Sequence, residues 1–127
     1  MVIDDLMNLS YVDERRFVWV RLSGAWTIDE LCAKPQSILA ECTARKQDLL
    51  LLDLTELSVG PISTLDRYKL GSSIVLFSKK LRKVATAALP SFIDPDRFGE
   101  RVARNRGVNV RVFSDPDEAR RWLLEKD

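Results

Sequence analysis

Asp53 closes the apolar run DLLLLDLT, residues 48–55. A carboxylate at the end of a buried strand is placed for general acid–base work, and nearby backbone donors can equally cap it. Tyr68, Cys32 and Cys42 are the other candidates for a reactive group. A reactive thiolate needs exposure and an electropositive setting. Both cysteines instead fall on the apolar stripe of one predicted helix, about 15 Å apart along its axis, too far for a disulfide. The 127 residues contain no histidine, which removes the imidazole base of serine and cysteine hydrolases and the commonest metal ligand. There is no glycine-rich phosphate loop, metal-ligand spacing or nucleophile elbow. The sequence therefore points to a non-enzyme, with no catalytic residue, no metal and no cofactor.

Binding chemistry is easier to place. Ser63, Thr64, Ser91 and Ser114 stand beside predicted helix N-termini, whose free N–H groups and partial positive charge can hold an anion or a polar head group. Tyr68 and Phe92 complete the candidate ligand-binding set. Phe92, with Leu89 and Ile93, would wall a pocket over the small-residue strand Ala85–Ala88. Ser63, Asp94 and Asp115 also serve as ordinary N-caps. Arg97, Arg101 and Arg104 fall on one helix face, and further cations lie at 79–83 and 120–121. Yet 20 Lys and Arg against 19 Asp and Glu leave a net charge of +1. With no interleaved aromatics this is a solvated face, and no nucleic-acid partner is expected. Trp19, Trp26 and Trp122 read as core or interface anchors.

These residues need a scaffold, and the pattern supplies one. A short run over 6–12 and the alternating RFVWVRLS, residues 16–23, form a hairpin around Asp13-Glu14-Arg15, with Gly24 ending the second strand. Thr27 and Glu30 make a capping box that opens a helix to about Arg45, kinked or split by Pro35. Its stripe is Ile28, Leu31, Cys32, Ile38, Leu39 and Cys42. Residues 48–55 are apolar on both faces, as in a parallel sheet covered by helices. After a loop over 56–62, Ser63 caps a second helix with Leu65, Tyr68, Leu70, Ile74, Val75 and Phe77 inward. Gly71 weakens its middle by about 1 kcal/mol relative to alanine. A strand over 82–89, a helix opened by Asp94 and Pro95 and closed by Gly107, a strand over 108–113 and a helix after Asp115-Pro116 complete the chain. The order β-β-α-β-α-β-α-β-α predicts one α/β domain over residues 1–127: a mixed, mostly parallel sheet of four to five strands with about four helices.

DLLLLDLT, followed by a loop and a capped helix, resembles the STAS fold of anti-sigma-factor antagonists. DRFGERVARNRG (96–107) and VRVFSDPDEARRWL (110–123) resemble bacterial STAS-like, SpoIIAA-like proteins of unknown function, a group also linked to CRAL-TRIO lipid-transfer domains. The pattern made by Val110, Val112, Phe113, Asp115, Glu118, Ala119, Trp122 and Leu123 carries most of the likeness, which spans residues 6–125. It implies a βα superhelix, a homodimer and no intrinsic catalysis. Sigma-regulating relatives are phosphorylated in an Asp-Ser-Ser motif opening the second helix. Here Gly60-Pro61-Ile62-Ser63 stands there, so only Ser63 remains as a phosphorylation candidate and kinase control is not carried over. The expected function is a non-enzymatic interaction or regulatory module that docks a protein partner or a small anionic or lipid-like ligand. The alternative is a carrier of a lipid or small amphiphile. An acidic N-terminus and no apolar run near 20 residues lead to the expectation of a cytoplasmic protein without a transmembrane segment.

Overall fold

The apolar runs become neighbouring strands of one sheet in the computed structural model, which describes residues 2–4, 9–13 and 16–126. The strands are β1 (Val2–Asp4), β2 (Leu9–Asp13), β3 (Val18–Ala25), β4 (Leu49–Ser58), β5 (Lys83–Ala87) and β6 (Val110–Phe113). They lie in sequence order in a single six-stranded sheet. The β1–β2 and β2–β3 pairs are antiparallel, and β3 to β6 run parallel. The helices are α1 (Ile28–Cys32), α2 (Pro35–Ala44), α3 (Thr64–Ser73), α4 (Phe98–Asn105) and α5 (Pro116–Leu124), with a 3-10 turn over Val75–Lys79.

This order explains the layering. Each parallel crossover is right-handed and steps to the same side, so α1 to α4 all land on one face of the sheet. That face holds the larger core, including Val20, Leu22, Leu50, Val84 and Val110 against Leu31, Ile38, Cys42, Phe77 and Ala103. Among the described elements only α5, which follows the last strand, reaches the opposite face. There Leu51, Ala85 and Ala87 meet Ala119 and Leu123, with Phe17 and Leu49 beside them. The small residues of β5 thus admit a close helix on one face.

Most expected elements are present, with corrections at their ends. Residues 6–8 and 14–15 of the predicted hairpin lie outside the described residues, while β2 and β3 pair as expected. The strand β1 adds a sixth to the sheet. Gly24, at φ 81, sits inside β3 instead of ending it. β4 runs through to Ser58, because Leu57 is buried and paired with Gly24. Pro35 does split the first helix, as the first residue of α2. The capping boxes Thr27–Glu30 and Ser63–Asp66 both form, and Asp115 caps α5 ahead of Pro116. Leu65 and Tyr68, expected to face inward, are 61% and 40% exposed. Helix α3 stops at Ser73 and continues as the 3-10 turn, which turns Phe77 into the core. Asp94 and Pro95 do not start α4; it begins at Phe98 after Arg97 in the left-handed region (φ 51), and the Asp94 carboxylate accepts from the Phe98 N–H at 3.1 Å.

Helix α4 also finishes the sheet edge. Arg104 Nη1 donates to the Val110 carbonyl at 2.7 Å, and Arg97 Nη1 to the Val112 carbonyl at 2.8 Å. The Val112 N–H donates to Glu100 Oε1 at 2.7 Å. An open edge strand invites pairing with another chain, and these side chains occupy the groups that would do so.

Candidate functional site

Between the sheet and α1 to α4 the packing leaves a cavity of about 160 Å³, partly open to solvent. Its floor is the larger-core face of the sheet: Leu22 of β3, Leu52 and Leu54 of β4, Thr86 of β5, and Val110 and Val112 of β6. Leu31 of α1, Pro35 and Ile38 of α2, and Leu70 and Ile74 at the end of α3 close it from above. Phe92 and Ile93, after β5, form a wall. The cavity therefore lies towards the carboxyl ends of the strands, where ligands bind in open α/β sheets. The lining is mainly apolar, with Lys34, Arg67, Asp94, Arg97 and Glu100 as its charged members.

Two of those cations already hold backbone. Arg67 Nη1 donates to the Phe92 carbonyl at 2.9 Å and ties α3 to the wall. Arg97, bonded to Val112, also sits 3.6 Å from Glu100. The approach of α3 to α4 is close because both helices carry glycine at the crossing: a Cβ on Gly71 would run into the Gly99 carbonyl, and one on Gly99 would meet the Arg67 carbonyl at 3.0 Å.

Of the six residues expected to bind a ligand, only Phe92 lines this cavity. Ser63 and Thr64 are exposed at the start of α3, where the Ser63 hydroxyl accepts from the Asp66 N–H at 3.0 Å as an ordinary cap. That arrangement holds the exposed Asp66 carboxyl below its usual range, through the backbone bond from Ser63 first and its hydroxyl second. Ser91 and Ser114 are exposed and do not reach the cavity. Tyr68 points outward, where Arg106 Nη2 donates to its hydroxyl at 2.9 Å and lowers its pKa. The helix starts beside Ser63 and Ser114 are closed by the chain's own carboxylates, Asp66 and Asp115, and Ser91 stands well before α4, which begins at Phe98. Sequence reasoning missed Leu52, Leu54, Leu70 and Thr86. The alternation of β4 and β5 was the available signal, since every second residue there shares one face.

The remaining reactive groups are committed elsewhere. Asp53 is 7% exposed on the opposite face of the sheet. Its Oδ1 accepts from the Thr55 N–H at 3.1 Å and the Thr55 hydroxyl at 2.6 Å, and its Oδ2 accepts from Trp19 Nε1 at 3.2 Å. Arg21 lies 3.7 Å from Oδ2 and stacks over Trp19 at 4.5 Å. Between the Arg21–Asp53 and Ser23–Glu56 pairs, β4 carries one residue more than β3, a bulge. Asp53 supplies the acceptor for Thr55 at that irregularity. Cys42 is fully buried, and desolvation pushes its thiol up to about 12. Burial also raises Cys32, which is half-buried at the end of α1. A second depression of about 470 Å³, between α5 and β6, is polar. Its buried Lys83 is committed to the Trp122 and Glu125 carbonyls, both at 3.0 Å, at the C-terminal end of α5. Among the described residues no group of His, Cys, Asp and Glu can hold a metal ion, and no helix is long and apolar enough to cross a membrane.

No family model matches the chain, and no curated protein matches it. Among solved structures it is similar to the crystal structure of an uncharacterized protein from the DUF3478 family with a SpoIIAA-like fold, from Shewanella loihica PV-4. The two share 21% identity over 96% of this chain and 98% of the other, with a TM-score of 0.57. This chain has a SpoIIAA-like fold. At that identity the likeness carries the architecture alone, and the residue-level content of the SpoIIAA-like domain rests on its own geometry.

Proposed function

We propose that this SpoIIAA-like domain is a non-catalytic binding module whose ligand is a small amphiphile, with its apolar body in the cavity between the sheet and α1 to α4. One observation carries the reading: the cavity of about 160 Å³ is lined by leucine, isoleucine, valine and phenylalanine at the carboxyl ends of the strands. A closed cavity of about 150 Å³ lined by leucine, isoleucine and phenylalanine takes up benzene, and this one, partly open to solvent, offers a similar volume. Lys34, with the backbone-bonded Arg67 and Arg97 and the acidic Asp94 and Glu100, gives the lining a charged part for the polar remainder of such a molecule.

The test is a titration with toluene followed by methyl NMR. The methyl signals of Leu22, Leu52, Leu54 and Leu70 should shift, and those of Leu49 and Leu51, which face α5 or its side of the sheet, should stay. Native mass spectrometry of the gently purified protein should show an added mass that leaves on collisional activation. Unmoved cavity methyls would refute the reading.

A further inference from the structure

The floor of the cavity contains one polar side chain. Thr86 sits in the middle of β5, is 8% exposed, and lines the cavity among Leu52, Leu54 and Val112. Among the described residues every fully enclosed side-chain nitrogen and oxygen has a hydrogen-bond partner. Among the described residues the Thr86 hydroxyl has none, so it borders the open space of the cavity. Valine has the same shape and would suit a strand buried on both faces better, because a buried hydroxyl without a partner costs free energy. The neighbours Val84, Ala85 and Ala87 follow that apolar preference.

We infer that Thr86 is the anchor for an oxygen function at the buried end of the ligand: a phenol, alcohol or ketone that enters oxygen first. This rests on the small-ligand reading above and adds the ligand's orientation and chemistry. A plain hydrocarbon tail would bury against Thr86 and leave its hydroxyl unpaired. An oxygen there exchanges a hydrogen bond with it and meets apolar contact on every other side. The cavity volume limits the buried portion to about one six-membered ring. Anything larger must extend past Arg67 and Arg97, which belong to the charged part of the lining.

The experiment compares two probes that differ by one hydroxyl, toluene and 4-methylphenol, on the full chain. Their dissociation constants are measured by NMR titration for the wild type, Thr86→Val and Thr86→Ser. The ratio of toluene to 4-methylphenol dissociation constants should fall about fivefold in Thr86→Val, the worth of one neutral hydrogen bond. It should stay near the wild-type value in Thr86→Ser, which keeps the hydroxyl. In the wild type, the Thr86 methyl should show a nuclear Overhauser contact to the ring protons beside the phenol hydroxyl, a readout that needs no variant to fold. A ratio unchanged in Thr86→Val, or a contact to the methyl end of the probe instead, overturns the inference while leaving the cavity as a binding site. Failure of both probes to bind the wild type overturns the inference together with the proposed function.

Discussion

Replacing Asp53 separates a structural carboxylate from a catalytic one. Asp53→Ala deletes the acceptor for the Thr55 N–H, the Thr55 hydroxyl and the Trp19 indole N–H, at 3.1, 2.6 and 3.2 Å. A hydrogen bond to a charged group contributes about 1.5–3 kcal/mol when fully buried. Thr55 and Trp19 are only half-buried, so water can replace part of what is lost. The Arg21 contact, on a side chain 46% exposed, adds at most about 0.5 kcal/mol. The expected total is about 3 kcal/mol, or roughly a 10 °C fall in Tm for a chain of this size. Asp53→Asn keeps an oxygen for Thr55 but turns an amide N–H towards the indole, so about half that loss is expected. Equilibrium urea unfolding followed by tryptophan fluorescence measures both, with the slope m unchanged if only stability moves. If both variants stay within about 0.5 kcal/mol of wild type, the carboxylate does not hold the bulge. A turnover lost in Asp53→Asn at intact stability would instead make Asp53 catalytic and refute the binding-module reading.

Gly71→Ala should destabilise by about 2–3 kcal/mol in the same assay, because the new Cβ collides with the Gly99 carbonyl and meets Val102 Cβ at 3.1 Å. A gain in stability would refute the close crossing of α3 and α4. Cys42 predicts a pH dependence. Its thiol rises from an ordinary 9.0 to about 12 in the folded chain. The unfolded chain therefore ionises first, and the Cys42 contribution to stability, complete below pH 9, falls by about 1.4 kcal/mol per pH unit from there towards 12. Cys42→Ala should lower stability at pH 7.5 by leaving a small cavity, yet lose less than wild type between pH 7.5 and 10.5. Equal losses in the two proteins would contradict the buried thiol.

Gly71 shows where local rules stop. By helix propensity alone, Gly71→Ala should stabilise by about 1 kcal/mol. Packing of α3 on α4 reverses the sign, and nothing within the α3 sequence contains that crossing. Tyr68 and Leu65 show the same limit. They fall on the apolar stripe by spacing, but α3 is covered by α1 on one side and α4 on the other, and both residues are left to solvent. Asp66 and Asp115 serve the helix starts beside Ser63 and Ser114, an arrangement that spacing alone does not separate from a start left free for an anion. Phe92 and Ile93 line the cavity, whereas Leu89, expected beside them, is 44% exposed and lies outside the lining: the turn after β5, and not apolarity alone, decides which side chain faces inward.

The sequence by itself determined the alternation of strands and helices, the caps at Thr27, Ser63 and Asp115, the split at Pro35 and the α/β architecture. These follow from the period of apolar residues and from hydrogen bonds that span only a few positions, which are local properties of the chain. The tertiary structure alone decided that α1 to α4 share one face of the sheet, that β4 bulges at Asp53, and that a cavity forms with Thr86 in its floor. Those features depend on which distant residues pack together and how tightly, and close packing is a property of the assembled layers that no single segment specifies.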